Sequence, residues 1–300
     1  MIDRTHTRRA MLRRTLATAG AGALLGTAGC SGLNPLSGGA GAYADWLPVP
    51  DDIGDRDHYQ FAAVDTETLA ANEDELSEEF DVSSLEESWS PVDIDWEDTS
   101  MILLFRSVVV IRDGFTREDV VDDLEDEDYD EDGEHQGHTM LVGPYELSAF
   151  AVGDQTLVLQ TSAYQSDPVD TVEAVLDAKN GDEERYGDDS EDMATLQGEL
   201  GSATVVSGRT MEEVDNDNPD VGRFDNMVAE GSTTTIDGET ADRTWVVIYE
   251  SADDVDTDDL EDWVDENDSN GGTFDDVDDI SYSQNGRAGI VTGTSDTDEI

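Results

Sequence analysis

The sequence predicts an α+β fold made of two similar units that follow an N-terminal leader and tether. Three observations carry that expectation. Met101 to Leu104, continuing through Val108 to Ile111, and Trp245 to Tyr249 are apolar runs rich in β-branched or aromatic residues and bounded by polar turn formers, so each predicts a central strand. Each run is followed by a helix with an N-capping signal and then by further strands. The pentapeptide Asp122-Asp123-Leu124-Glu125-Asp126 recurs as Asp258-Asp259-Leu260-Glu261-Asp262 in the corresponding helix.

In chain order, Tyr59 to Val64 predicts a short strand ahead of the first long run. Thr116 then caps a helix over Arg117 to Asp126, with Val120, Val121 and Leu124 on one face. Strands follow at Thr139 to Val142, Leu147 to Val152 and Thr156 to Gln160, the last two turning at Gly153-Asp154. Asp167-Pro168 opens a helix to Lys179 with the stripe Val169, Val172, Val175, Leu176. A short helix over Glu191 to Leu200 opens the second half, and Ala203 to Val206 predicts its first strand. After Trp245 to Tyr249, Thr257 caps a helix over Asp258 to Glu266, with Leu260, Trp263 and Val264 inward, before strands at Ile280 to Ser283 and Ala288 to Thr292. This order is similar to the ferredoxin-like βαββ arrangement. The expectation is therefore two duplicated ferredoxin-like α/β sandwich units, residues 45–185 and 186–300.

Composition speaks to the solvent. The 300 residues hold 75 Asp plus Glu against 15 Lys plus Arg, a net charge of −60, and Lys179 is the one lysine. At 36% hydrophobic residues the chain can still build a core. So much negative charge excludes nucleic acid and anionic membrane surfaces as partners of the body, because both are polyanions. In dilute buffer the folded body repels itself, whereas at molar salt the Debye length falls to about 3 Å and that repulsion is screened. Near-absence of lysine, an excess of Asp over Glu and few large aliphatics resemble the proteins of haloarchaea and other extreme halophiles.

Residues 1–29 reverse the sign, with Arg4, Arg8, Arg9, Arg13 and Arg14 against Asp3. A small-residue apolar segment, Thr15 to Ala28, is too short to span a bilayer and has the length of a signal-peptide core. Thr7-Arg8-Arg9-Ala10-Met11-Leu12 resembles the twin-arginine export motif, which places the export signal on Arg8 and Arg9. Thr27-Ala28-Gly29-Cys30 resembles a lipobox, departing from it by Thr27 in place of the usual Leu. The resemblance implies cleavage before Cys30, lipidation of its thiol and folding before export. Residues 30–44, rich in Gly and Ser, then read as a flexible tether holding the body off the membrane.

For chemistry, Asp128-Tyr129-Asp130-Glu131-Asp132-Gly133 resembles the start of an EF-hand calcium loop, with Asp128, Asp130, Asp132 and Glu134 as ligands. Position 12 is Thr139 instead of a bidentate Glu, so the loop implies at most weakly bound Ca²⁺, against a competing reading as a solvated acidic loop. His135 and His138 form an HxxH pair without the Glu of HExxH and without a third His nearby. Asn267-Asp268-Ser269 is a glycosylation sequon on a surface loop. With one cysteine, disulfides and zinc clusters are excluded within the chain, and there is no GxSxG elbow or P-loop. The sequence therefore predicts a lipid-anchored, extracytoplasmic, non-enzymatic binding or cell-envelope protein, with a protein or small-molecule partner and no required cofactor. An extracytoplasmic hydrolase with a buried carboxylate, or a solute-binding lipoprotein serving a transporter, are the alternatives.

Overall fold

The computed structural model describes residues 40–54, 57–77, 89–161, 166–215, 218–269 and 271–300. The leader and Cys30 lie outside them. The strands are β1 (Gln60–Val64), β2 (Met101–Phe105), β3 (Val108–Arg112), β4 (Asp130–His135), β5 (His138–Val142), β6 (Ala149–Val152), β7 (Thr156–Gln160), β8 (Val205–Thr210), β9 (Met227–Asp237), β10 (Thr240–Tyr249), β11 (Asp278–Asn285) and β12 (Ala288–Asp296). The six described α-helices are α1 (Thr66–Ala71), α2 (Arg117–Asp126), α3 (Pro168–Asn180), α4 (Tyr186–Asp189), α5 (Glu191–Leu200) and α6 (Thr257–Glu266).

All the strands join one antiparallel sheet in the order β11-β12-β10-β9-β8-β1-β2-β3-β7-β6-β5-β4. The units expected on either side of residue 185 thus share a single sheet, sealed where β1 pairs with β8 from Gln60↔Arg209 to Val64↔Val205. On each side of that seam the chain makes a hairpin (β2–β3, β9–β10), a helix (α2, α6), and a last strand that returns beside the hairpin's second strand (β7 on β3, β12 on β10). In the second half β12 inserts between β10 and β11, which gives β10-α6-β11-β12 a split βαββ order.

One register line crosses every strand: Asp130, Val142, Ala149, Gln160, Val108, Phe105, Phe61, Gly208, Gly231, Val246, Ile290 and Ser283. Side chains alternate across a sheet, so these residues share one face. That face is covered by α3, through Val172, Val175 and Leu176, and by α5, through Met193, Leu196 and Leu200. The opposite face carries two separate cores. Leu69 of α1 and Val120 and Leu124 of α2 close one of them over Ile102, Val109, Ile111 and Leu157. Leu260 and Val264 of α6 close the other over Trp245, Val247 and Tyr249. With helices on both faces, β3, β6 and β10 are buried on both sides, which is why they read as continuous apolar runs.

The helices start where their caps dictate. Thr116 Oγ1 accepts from the Asp119 N–H, Asp167 from Val169 and Ser190 from Met193. At α6 the cap is Asp256, accepting from Asp258, one residue before the expected Thr257. Helix α3 ends on Gly181 in the left-handed region, φ 77°.

Helix α5 reaches the sheet only because Gly208 and Gly231 face each other on β8 and β9. A Cβ on Gly208 would lie 2.9 Å from the Phe61 ring and 3.0 Å from Leu196 Cδ2. One on Gly231 would lie 2.8 Å from the Ser207 carbonyl oxygen and 3.0 Å from Leu196 Cδ1. Leu196 therefore fills the space over two glycines beside the seam. Leu196→Ala is expected to cost about 2–5 kcal/mol, as a buried Leu that leaves a cavity does. Denaturant unfolding in concentrated salt measures it, and a loss below about 1 kcal/mol contradicts this packing.

Candidate functional site

The ends of β1, β2, β3 and β7, together with the segment leading into α3, enclose a cleft of about 560 Å³. The two-residue connection of β2 to β3 holds Arg106 at φ 50°, a left-handed conformation uncommon outside glycine. From there its guanidinium lies 5.5 Å from the centre of the Tyr59 ring, and Nη1 donates to the Ile53 carbonyl at 2.7 Å. Tyr59 is held in turn by its hydroxyl, which donates to the Pro48 carbonyl at 2.8 Å, and by ring contacts to Phe105 and Tyr186 at 5.5 and 5.0 Å.

Gln160 closes β7 and is 3% exposed. Its Nε2 donates to Ser107 Oγ at 3.2 Å and to Ser166 Oγ at 3.3 Å. Thr171 Oγ1 lies 2.8 Å from Ser166 Oγ and 3.0 Å from the Asp167 carbonyl oxygen. Gln160 thus stands in the sheet's register line between Val108 and Ala149, a polar interruption at the point where the cleft opens. Phe61, Leu104, Phe105 and Val108 supply apolar surface, and His58 sits at the margin with Nδ1 3.2 Å from Thr210 Oγ1.

No carboxylate is among the described lining residues, in a chain where 75 of 300 residues are acidic. The contrast is a second cleft of about 620 Å³ beside the β9–β10 turn, lined by Asp74, Glu75, Glu239, Asp296 and Asp298. A volume near 560 Å³ with apolar walls and a few converging polar groups suits a small organic molecule. Among the described residues the hydroxyls of Ser107 and Ser166 both meet the Gln160 amide, which makes them hydrogen-bonding groups of the cleft wall. Burial holds the Tyr59 phenol well above its usual value, so it stays neutral.

The residues singled out from the sequence lie elsewhere. Of the residues read as a calcium loop, Asp130, Asp132 and Glu134 lie in edge strand β4, Asp130 to His135, which pairs with β5 and is bulged between Glu131 and Glu134, with Gly133 at φ 103°, and Asp128 precedes it. Tyr129 points inward instead, edge-on to Phe150 at 5.1 Å. His135 pairs with Asp177 of α3 at 2.7 Å and Glu173 at 3.5 Å, docking the hairpin onto the helix. His138 packs against Gly153, and burial lowers its pKa. Among the described residues no group of three or more His, Cys, Asp or Glu is placed to hold a metal ion. The Asn267 Nδ2 donates to the Trp263 carbonyl at 2.9 Å at the end of α6. Arg8, Arg9 and Cys30 fall outside the described residues.

The Tyr59 shift has a measurable sign. Its folded pKa lies above the unfolded value near 10, so its contribution to stability is complete below that pH and is lost as pH rises through the folded value. Tyr59→Phe is expected to cost about 1–3 kcal/mol at neutral pH by orphaning the Pro48 carbonyl, and to flatten the alkaline fall in stability above about pH 10. Parallel unfolding curves for the two proteins from pH 7 to 11 check both effects. Equal alkaline slopes contradict the second.

No protein-family model matches the chain, and no curated protein matches it. Among solved structures the chain is similar to crystal form I of TP0453, with a TM-score of 0.45 and 8% identity over 83% of this chain and 93% of that one. Crystal form IV of TP0453 gives a TM-score of 0.46 and 9% identity over 86% of this chain and 96% of that one.

Proposed function

We propose that this chain is a lipid-anchored protein on the extracytoplasmic face of a halophilic archaeal cell. Its body is a non-enzymatic binding component that captures a small solute in the cleft between Tyr59, Arg106 and Gln160. The observation that carries the binding assignment is that the described lining of that cleft holds no carboxylate and sets hydrogen-bonding groups and one guanidinium over apolar walls. A hydrolase of the kind weighed from the sequence calls for a carboxylate in the site, which the described lining does not offer. The address rests on the Arg8-Arg9 and Thr27-to-Cys30 motifs and on the −60 net charge. No helix among the described residues is long and apolar enough to cross a membrane, and attachment is assigned to lipid on Cys30 from the Thr27-to-Cys30 motif. The recurring order of hairpin, helix and returning strand on both sides of the β1–β8 seam supports reading the body as a duplicated ferredoxin-like βαββ unit, enlarged in the first half by β4–β5.

Two experiments test this reading. In a halophilic host, Cys30→Ser is expected to move the protein from the membrane fraction to the medium, and Arg8→Lys with Arg9→Lys to trap the precursor inside the cell. A Cys30→Ser protein that stays on the membrane rejects the lipid anchor. For the cleft, a thermal-shift panel of amino acids, sugars and carboxylic acids in about 3 M salt, where screening is near complete, is expected to contain a solute that raises the midpoint. A ligand present at about 100 times its Kd stabilises by about 2.7 kcal/mol. Gln160→Leu should remove that shift while leaving the unliganded midpoint within a few degrees. Absence of any shift across the panel rejects solute capture.

A further inference from the structure

The sheet ends in two open edges, β4 on one side and β11 on the other. An open edge presents N–H and C=O groups with which another chain can pair, and proteins blunt it with charges and bulges. Strand β4 is blunted in this way, by Asp130, Glu131, Asp132 and Glu134, all exposed, and by its bulge. Strand β11 is built differently. Its irregularity lies at the start, between Asp278 and Ser281, and from Ser281 to Asn285 it pairs regularly with β12. Ser281, Ser283, Gln284 and Asn285 are exposed, yet no acidic residue occurs from Ile280 to Ser295. Strands β1 to β3 and β5 to β8 carry no acid either, but each of them lies inside the sheet with a neighbour on both sides.

The turn fixes which groups face outward. The β11–β12 hairpin turns through Gly286 and Arg287, with Gly286 at φ 59°, so Asn285 and Ala288 close it and exchange backbone hydrogen bonds. Bonding alternates along an antiparallel pair. Ser283 and Ser281 therefore bond to Ile290 and Thr292, while Tyr282 and Gln284 direct their N–H and C=O groups to the open edge. Among the described residues no strand lies outside them. The strand is firmly seated: Ser281 Oγ lies 2.6 Å from Thr292 Oγ1, and Gln284 Nε2 donates to the Ala252 carbonyl at 2.8 Å. Asn285 Nδ2 donates to Glu199 at 2.8 Å, and Ile280 and Tyr282 pack on the core beneath α6.

We infer that β11 is a self-pairing edge, to which a second copy of this chain adds antiparallel across a two-fold axis at Ser283. About that axis the regular stretch Ser281 to Asn285 pairs with itself in full. Tyr282 of each copy falls opposite Gln284 of the other, Ser281 opposite Asn285, and Ser283 opposite Ser283. Each Tyr282–Gln284 pair exchanges two backbone hydrogen bonds. Asp278 and Asp279 lie past the other copy's Asn285, towards its Gly286 and Arg287, so no carboxylate of one strand meets a carboxylate of the other. Strand β4 paired with itself about Asp132 would instead set Asp130 against Glu134 and Asp132 against Asp132. Burial, with Asp265 and Glu261 of α6 nearby, holds the Tyr282 phenol above its usual value. In molar salt the field of those acids ends within about 3 Å and does not oppose a second copy. The contact is the same patch on both copies and closes as a dimer. It does not depend on what the Arg106 cleft binds or on the lipid.

The test uses the full chain carrying Cys30→Ser, so that an introduced cysteine is the only thiol. In about 3 M salt, where screening is near complete, sedimentation equilibrium is expected to give twice the monomer mass. Gln284→Pro removes an outward N–H from an edge strand, where proline is tolerated, and should give a monomer with its thermal midpoint within a few degrees of the parent. Ser283→Glu sets two carboxylates together on the axis and serves if the proline variant does not fold. Opposed residues that do not bond each other in an antiparallel pair have Cα atoms about 4.5 Å apart, within reach of a disulfide. Mild oxidation should therefore link Ser283→Cys across the dimer. Ser281→Cys, whose counterpart in the other copy lies about 13 Å along the strand, should stay unlinked. A monomeric parent overturns the dimer and leaves the edge to a strand from another chain. So does a dimer that survives both Gln284→Pro and Ser283→Glu. An unlinked Ser283→Cys, or a link that forms as readily with Ser281→Cys, equally overturns it.

Discussion

The pairing of β1 with β8 is the constraint on which the rest of the structure depends. Five residue pairs, Gln60 to Val64 against Arg209 to Val205, turn two runs of strands into one sheet. They also set the register for both halves, because every neighbouring pair is antiparallel and the line through Phe61 and Gly208 continues to both edges. A slip of one residue at this seam would turn Phe61 and Val206 away from α3 and α5 and expose a face that now holds the largest core. The seam is also where large and small side chains must alternate: Phe61, stacked on Tyr43 at 5.0 Å, stands beside Gly208, and the space over the glycines receives Leu196.

Charge is organised around the same frame. Acidic side chains occupy turns, helix exteriors and the edge strand β4, where water and salt reach them. The few basic groups tie distant segments together. Lys179 and Arg185 both hold Asp45, fixing the segment that enters the body to α3 and α4, while Lys179 also lies 5.0 Å from the Trp46 ring. Arg287 binds Asp192, the Thr195 hydroxyl and the Tyr249 carbonyl, joining β12, α5 and β10. In a medium whose Debye length is about 3 Å such contacts keep their value only when direct and partly buried. Scattered surface ion pairs would contribute little.

Much of this was legible in the sequence because it is local. The caps of α2 and α3 and the apolar runs of β2, β3 and β10 declare themselves within a few residues. Strand β9 does not, since Gly231 to Thr235 is small and polar and its burial comes from the helix and strands beside it. Strand β4 was hidden for the opposite reason: its acids suggested a ligand loop, whereas an exposed edge strand tolerates charge on both faces. The merging of the two halves could not be read at all, because β1 and β8 are some 140 residues apart in sequence and neither carries a mark of its partner. The cleft is equally non-local, built from Tyr59, Arg106, Gln160 and Thr171.

On the proposed reading, a protein this acidic has to recognise a solute by short-range means. In dilute solution its field would drive anions away and draw cations to every loop, so neither sign of charge would identify a site. In brine that field ends within about 3 Å of each group, and long-range steering is lost. Selection then falls to desolvated places where hydrogen bonds and contact area decide, because screening ions cannot enter them. The cleft at Arg106 meets that condition through Gln160, Ser107 and Ser166, whose bonds are neutral, and through a guanidinium already oriented by Tyr59 and the Ile53 carbonyl. The acid-lined cleft beside the β9–β10 turn does not, since in concentrated salt any cation at its carboxylates competes with the bulk. Among the described lining residues, carboxylates are absent at Arg106 and abundant at Glu239, and on the proposed reading the first of these two clefts is the one suited to select a solute.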